Sequence, residues 1–288
     1  MMNKLIFFLG MVMLYSSACF AQKLEELDRK IALHEPWKQA SPTGKKFKYP
    51  SIQVDHSTII LFGKQVELDK NGFPKQIMVY FNDSLTQISP NGQALLAENI
   101  HFHFVRKSDG KTIKLIDEGA TFILLKAEKV IWKAKSSNDS LRVDVMGMAF
   151  ANGELAISVK VEALKDIDFK DVTLHLPFQK SKADLLSGFG QPGGLRPEKV
   201  EWSVSMAQKG PNACWIGNST AGLQYALILS KDKKDGWWNG AKGGATVAIK
   251  GSSMLANNYT GPHYLRKGEV RHYDFTLLPT PVKVPVDN

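Results

Sequence analysis

The sequence predicts an all-β protein, a large two-sheet antiparallel β-sandwich with a short amino-terminal helix. Three observations predict it. Apolar residues recur with a period of two along most of the 288-residue chain. The alternating runs are rich in β-branched and aromatic residues and end at Gly, Asn, Asp, Pro or Ser. Only one segment has helical spacing. Strands that alternate, rather than run continuously apolar, suit antiparallel sheets with one face on a core. Roughly a dozen of them would overfill a single open sheet, so two packed sheets are expected.

Taken in order, the chain opens with MMNKLIFFLGMVMLYSSACFA: one lysine, an apolar run from Leu5 to Tyr15, then small residues. That order predicts a secretory signal over residues 1–21, cleaved after Ala21, and the run is too short to span a bilayer. The expectation is an exported protein, periplasmic or extracellular, with no membrane span. Lipid anchoring through Cys19 is the less favoured alternative, because Ser16 stands where such a signal prefers an aliphatic residue.

QKLEELDRKIALHE, Gln22 to Glu35, supplies the helix, with Leu24, Leu27, Ile31 and Leu33 near one face. The Pro- and Lys-rich stretch to Ser51 reads as a connector, so residues 22–51 form a helix and linker. The sandwich is expected over residues 52–283. Its strands are carried by STIILF, KQIMVYF, NIHFHFVRK, TFILLKAEKVIWKAK, LRVDVMGMAF, LAISVKVEAL, DVTLHLPF, VEWSVSM, LQYALIL and ATVAIK. His272 to Leu278 closes it. Prolines from Pro279 onward should then leave the sheet, because proline lacks the donor, with residues 284–288 as a linker stub.

Charge and cysteine content exclude several classes. The formal net charge is +9, but the lysines are scattered, with no arginine-rich helix and no nucleic-acid recognition motif. Nucleic acid is therefore not an expected partner. Of two cysteines only Cys214 lies outside the signal, so no internal disulfide is expected. A chain of this size buries enough core to fold without one. Cys214, in NACWIGN, reads as a buried strand thiol.

Three stretches imitate catalytic or ligand sites. GFGQPGG, Gly188 to Gly194, contains a formal G-x-G-x-x-G, yet strand alternation rather than a helix follows it, so it reads as a loop. Asp117 and Glu118 in IDEG could divide acid and orienting roles in sugar hydrolysis, but Asp-Glu-Gly between strands is ordinary turn chemistry. HFHF puts His101 and His103 on one strand face, a two-ligand metal edge without a third ligand at recognisable spacing, and a polar face is the expectation. No catalytic residue, metal or cofactor is predicted.

Aromatic usage between Glu201 and Gly240 is less ordinary. Trp202, Trp215, Trp237 and Trp238 gather there beside Asn212, Asn218 and Asn239. Indole faces beside amides suit sugar rings. Trp202 and Trp215 sit in alternating strands and read as core. Trp237, Trp238 and Asn239 lie in the turn-like KKDGWWNGAKGG, where adjacent rings should point to opposite faces, and they are the candidates for carbohydrate binding or domain docking.

Five segments, in order, carry a family resemblance: GKQVELDKNGFPKQI, GFGQPGGLRPEKVEW, CWIGNSTAGLQYAL, WWNGAKGGATVAI and YDFTLLPTPVK. They resemble the β-sandwich domain of bacterial glycoside hydrolase family 123-like proteins, across roughly Ser57 to Lys283. Phe73 departs from the usual leucine, and Val284 interrupts the usual ending. The resemblance implies that a (β/α)8 barrel follows the sandwich, with an Asp-Glu pair that hydrolyses β-N-acetylgalactosaminides assisted by the substrate's acetamido group. No alternating strand and helix pattern exists here to receive those residues. The expected function is an exported non-catalytic module that binds an N-acetylgalactosamine-containing glycan or docks to a separately encoded barrel. The alternative is the front fragment or subunit of a β-N-acetylgalactosaminidase-like hydrolase.

Overall fold

A computed structural model describes residues 49–85, 87–208 and 212–282. They all fall in one compact unit, Phe47–Asn288. The signal, the helix Gln22 to Glu35 and the stub 284–288 lie outside the described residues. Among those described, no helix is long and apolar enough to cross a membrane.

The protein is almost entirely antiparallel β. In chain order the strands are β1 (Gln53–Asp55), β2 (Thr58–Leu61), β3 (Lys64–Leu68), β4 (Pro74–Phe81), β5 (Ile88–Ala94), β6 (His101–Arg106), β7 (Ile116–Leu125), β8 (Lys129–Ser137), β9 (Leu141–Phe150) and β10 (Leu155–Ala163). They continue as β11 (Ile167–Gln179), β12 (Leu185–Gly188), β13 (Gln191–Leu195), β14 (Lys199–Ser203), β15 (Ala213–Gly217), β16 (Gly222–Ile228), β17 (Gly244–Lys250), β18 (Ser253–Tyr259), β19 (His263–Leu265) and β20 (Val270–Thr280).

One layer is a nine-stranded sheet in the order β13-β12-β15-β16-β20-β10-β9-β8-β7. The other consists of two hydrogen-bonded sheets: β1 to β5 in sequence order, and β14-β17-β18-β11-β19 with β6 also paired to β11. The expected second sheet is thus two sheets, joined by the segment after β5. Leu95 N–H donates to the Ile77 carbonyl, while its own carbonyl accepts from Gln179, and Ala97 N–H donates to the Pro177 carbonyl. That segment bonds β4 on one side and β11 on the other.

Inward positions of both layers fill one core. In β11, Val172, Leu174, Leu176 and Phe178 are buried while Thr173 and His175 face the other way, as a period of two requires. Phe73 bridges the layers: its ring lies 5.5 Å from Phe102 and 6.3 Å from Phe275. The β3–β4 turn approaches β8 so closely that Trp132 Nε1 donates to the Gly72 carbonyl at 2.8 Å. Gly72 has φ +83°, and a Cβ there would lie 2.7 Å from Ala134 Cβ, so both conformation and space demand glycine.

The closing strand differs from expectation. β20 continues through Pro279 to Thr280, in the middle of the nine-stranded sheet between β16 and β10. Pro279 is tolerated because β10 begins at Leu155, opposite Leu277, so beyond that point only β16 remains alongside.

Candidate functional site

The loop between β16 and β17 inserts Trp237 into the core. The ring is 1% exposed, stacks near Phe102 at 6.1 Å and meets Tyr273 edge-on at 5.3 Å. Its Nε1 donates to the Asp274 carbonyl at 2.8 Å, which removes the cost of burying that donor. Gly236, with φ +50°, makes the entry: a Cβ there would sit 2.2 Å from the His272 carbonyl oxygen. Asp235 ties the loop to β20 by accepting from the backbone N–H groups of Gly236 and His272.

Trp238 is half-buried, packed against the margin of the same core, with Lys233 Nζ 5.5 Å from its ring centre. Asn239 spends its side-chain amide on the β18–β19 connection, donating to the Thr260 carbonyl at 2.8 Å and reaching the Pro262 carbonyl at 3.2 Å. The three residues are neighbours but not one platform. Trp237 offers no ring face to a ligand, so stacking in this loop can fall only to Trp238.

Other sequence candidates have structural partners. Asp117 and Glu118 lie within β7 rather than in a turn; a bulge between Asp117 and Ala120 takes up Gly119, whose φ is +99°. Asp117 accepts from Ser136 Oγ at 2.7 Å, and Glu118 pairs with Lys135 at 2.9 Å. GFGQPGG forms the β12–β13 hairpin rather than a loop. Phe189 at its tip is buried on Trp202, ring centres 4.7 Å apart. Cys214 is buried, and burial pushes its thiol up. Trp202 is core, whereas Trp215 is half-buried with Nε1 donating to Thr280 Oγ1 at 2.8 Å.

A second arrangement lies on the outer face of the sheet that contains β6 and β11. The period of two puts His101 and His103 on that face of β6. The antiparallel register sets His101 directly opposite His175 and His103 opposite Thr173. Directly opposed residues have Cβ atoms about 5 Å apart, so the three imidazoles converge. Ring centres are 4.7 Å apart for His101–His103, 5.2 Å for His101–His175 and 4.5 Å for His103–His175.

The cluster borders a cleft of about 440 Å³ also lined by Glu98, Pro177, Leu255, Lys250 and the Gly251–Ser253 turn. All three rings are half-buried. Burial, then the His103 and His101 rings and Lys250, push His175 down to about 4. Burial, His101 and Lys250 hold His103 below the usual histidine range. A neutral imidazole keeps a lone pair on one ring nitrogen, so His103 and His175 present nitrogen acceptors rather than cations.

Sequence reasoning found two of these histidines and missed the third. His175 sits in DVTLHLPF, where alternation marks it as outward-facing, but its pairing with β6 is a property of topology. The 60 residues between the two strands, 107–166, hide it from spacing rules.

A family model for the third domain of glycoside hydrolase 123 matches residues 52–281. No curated protein matches the chain. Among solved structures, a GalM/aldose epimerase homologue from C. elegans is 8% identical with TM-score 0.48, covering 83% of this chain and 100% of that one. A galactose mutarotase related enzyme from Lactobacillus acidophilus is 8% identical with TM-score 0.45, covering 83% of this chain and 100% of that one. A heparan sulfate lyase HepC mutant from Pedobacter heparinus is 10% identical with TM-score 0.42, covering 88% of this chain and 41% of that one.

Proposed function

This chain belongs to the glycoside hydrolase 123 third-domain family, and on that premise we propose that it is an exported, non-catalytic module that docks against a glycoside hydrolase barrel. Family membership over residues 52–281 is the observation that carries the reading. Two features support docking over glycan stacking. The aromatic loop is largely closed, with Trp237 buried and Asn239 engaged by backbone carbonyls. The edge strand β7, by contrast, exposes apolar side chains: Ile116 is 75% exposed, Leu125 63% and Ile123 37%. Among the described residues β7 has no neighbour on its outer side, and a strand edge with bare apolar groups suits a protein partner.

The test uses two titrations of the mature chain. A separately expressed family 123 barrel is expected to bind, and Leu125→Glu to weaken it at least about tenfold, which is roughly 1.4 kcal/mol. N-acetylgalactosamine-containing oligosaccharides are expected to leave tryptophan fluorescence unchanged. Sugar binding that disappears in Trp238→Ala would shift the reading to a glycan platform. Absence of both interactions would end the docking proposal. Export is tested by intact mass, with Gln22 expected as the first residue.

A further inference from the structure

We propose that His101, His103 and His175 bind a divalent transition-metal ion of the zinc class. The inference is independent of the docking reading and rests on a different face of the molecule. Each histidine offers a ring nitrogen, and these three atoms lie within 4.8 Å of one another. A tetrahedral ion with Zn–N bonds of about 2.0–2.1 Å sets its nitrogens roughly 3.3 Å apart, so closure from the 4.8 Å limit takes at most about 1.5 Å. Half-buried rings on a solvent-facing strand surface can rotate that far without disturbing the core beneath them.

The scaffold already fixes part of the coordination. His101 Nδ1 lies 2.7 Å from the Asn99 carbonyl, so it donates there and leaves Nε2 with its lone pair free. A backbone carbonyl holding the far nitrogen is how ligating histidines are commonly oriented. His103 and His175 are set by β6 and β11, whose register is pinned by buried Phe104 opposite Val172 and by Leu174 opposite Phe102. The site is therefore built on paired strands rather than on a loop. Three imidazoles suit zinc, copper or nickel rather than calcium or magnesium, which prefer oxygen.

The charges at the rim point the same way. Glu98 lines the cleft and brings a carboxylate toward a cation, and Lys250 at the β17 end is an exposed side chain that can swing away. An anion site would need several permanent positive donors, and Lys250 is the one lysine or arginine among the residues lining the cleft. With three protein ligands and an open cleft, a fourth position remains for water or a ligand oxygen.

Zinc chloride titrated into the tag-free mature chain by calorimetry, with dialysis and metal analysis, is expected to give one ion per chain. His101→Ala, His103→Ala and His175→Ala should each weaken binding by at least about tenfold, the least that loss of even an outer-shell partner typically costs. His56→Ala and His272→Ala should leave it unchanged, with circular dichroism verifying the fold of every variant. Independently of any variant, cobalt(II) bound to the wild type should show the intense visible bands of a four-coordinate ion, and zinc should move three imidazole resonances together. Zinc without stoichiometric binding, equal affinity in the three variants, or shifts at other histidines would overturn the site. Binding of inorganic phosphate at the cluster in place of zinc would overturn it in favour of an anion pocket.

Discussion

The Trp237–Trp238 loop and the His101–His103–His175 face are built on opposite logics. In the loop, side chains that look like ligand-binding groups are consumed by the fold: one indole fills the core and the amide of Asn239 holds backbone carbonyls. On the strand face, groups that look like surface decoration are gathered by register around a cleft. Residue type near in sequence advertises the first, and pairing between distant strands creates the second. A side chain is available for function only when the fold does not already need it.

Four measurements sharpen or break that contrast. Trp237→Ala should cost the most, about 3–5 kcal/mol in urea unfolding, as for large aromatic truncations in cores; a loss below about 1 kcal/mol would mean the ring is dispensable and the loop is free for ligand. Next comes acid sensitivity of the metal-free histidine face. Since His175 is pushed down to about 4 from 6.5, the unfolded chain binds a proton between those values that the folded chain refuses. Stability is therefore fully present above about pH 6.5 and falls as pH drops toward 4, by about 1–2 kcal/mol once solvent screening of a half-buried ring is allowed for. His175→Asn should flatten this slope, whereas Trp238→Ala should not.

Asn239→Ala should destabilise by about 1 kcal/mol through the lost bond to the Thr260 carbonyl, seen as a lower urea midpoint at unchanged slope. Trp238→Ala should cost least, at most about 1 kcal/mol, because the ring is half-buried and its contact with Lys233 is an exposed cation–π pair. If Trp238→Ala rather than Trp237→Ala proved the costlier, the order of burial of the two rings would be reversed.

Much of the architecture is legible in the sequence because alternation reports burial directly. LRVDVMGMAF and LAISVKVEAL read as strands and are β9 and β10, paired along their length. What is lost are strands too short or too polar to alternate: β13 is QPGGL and β5 is ISPNGQA, and both are held by neighbours rather than by their own apolar faces. VEWSVSM keeps its period in sequence, yet the strand ends at Ser203 and a 3-10 turn takes over at Val204, which buries its side chain in the core. For the candidate site, period two located His101 and His103, while the Trp237–Trp238 segment is a turn rather than a strand, so alternation does not govern its two indoles. Which indole turns inward depends on space beside Phe102 and Tyr273, and the third histidine depends on β11 lying beside β6. Neither is encoded within a window of sequence.

The place of β20 has a consequence in time. It lies between β16 and β10 and joins β13-β12-β15-β16 to β10-β9-β8-β7. Without it, β13-β12-β15-β16 and β10-β9-β8-β7 would be two separate groups of strands, each with an unpaired edge where β20 belongs. Pairing Leu155 with Leu277 closes a long loop, an entropic cost met before any contact rewards it. During that interval each raw edge can pair with another chain as readily as with its own. The nine-stranded sheet therefore cannot be completed until β20 is in place, and conditions that hold the nascent chain apart from its copies until then should raise the yield of folded protein.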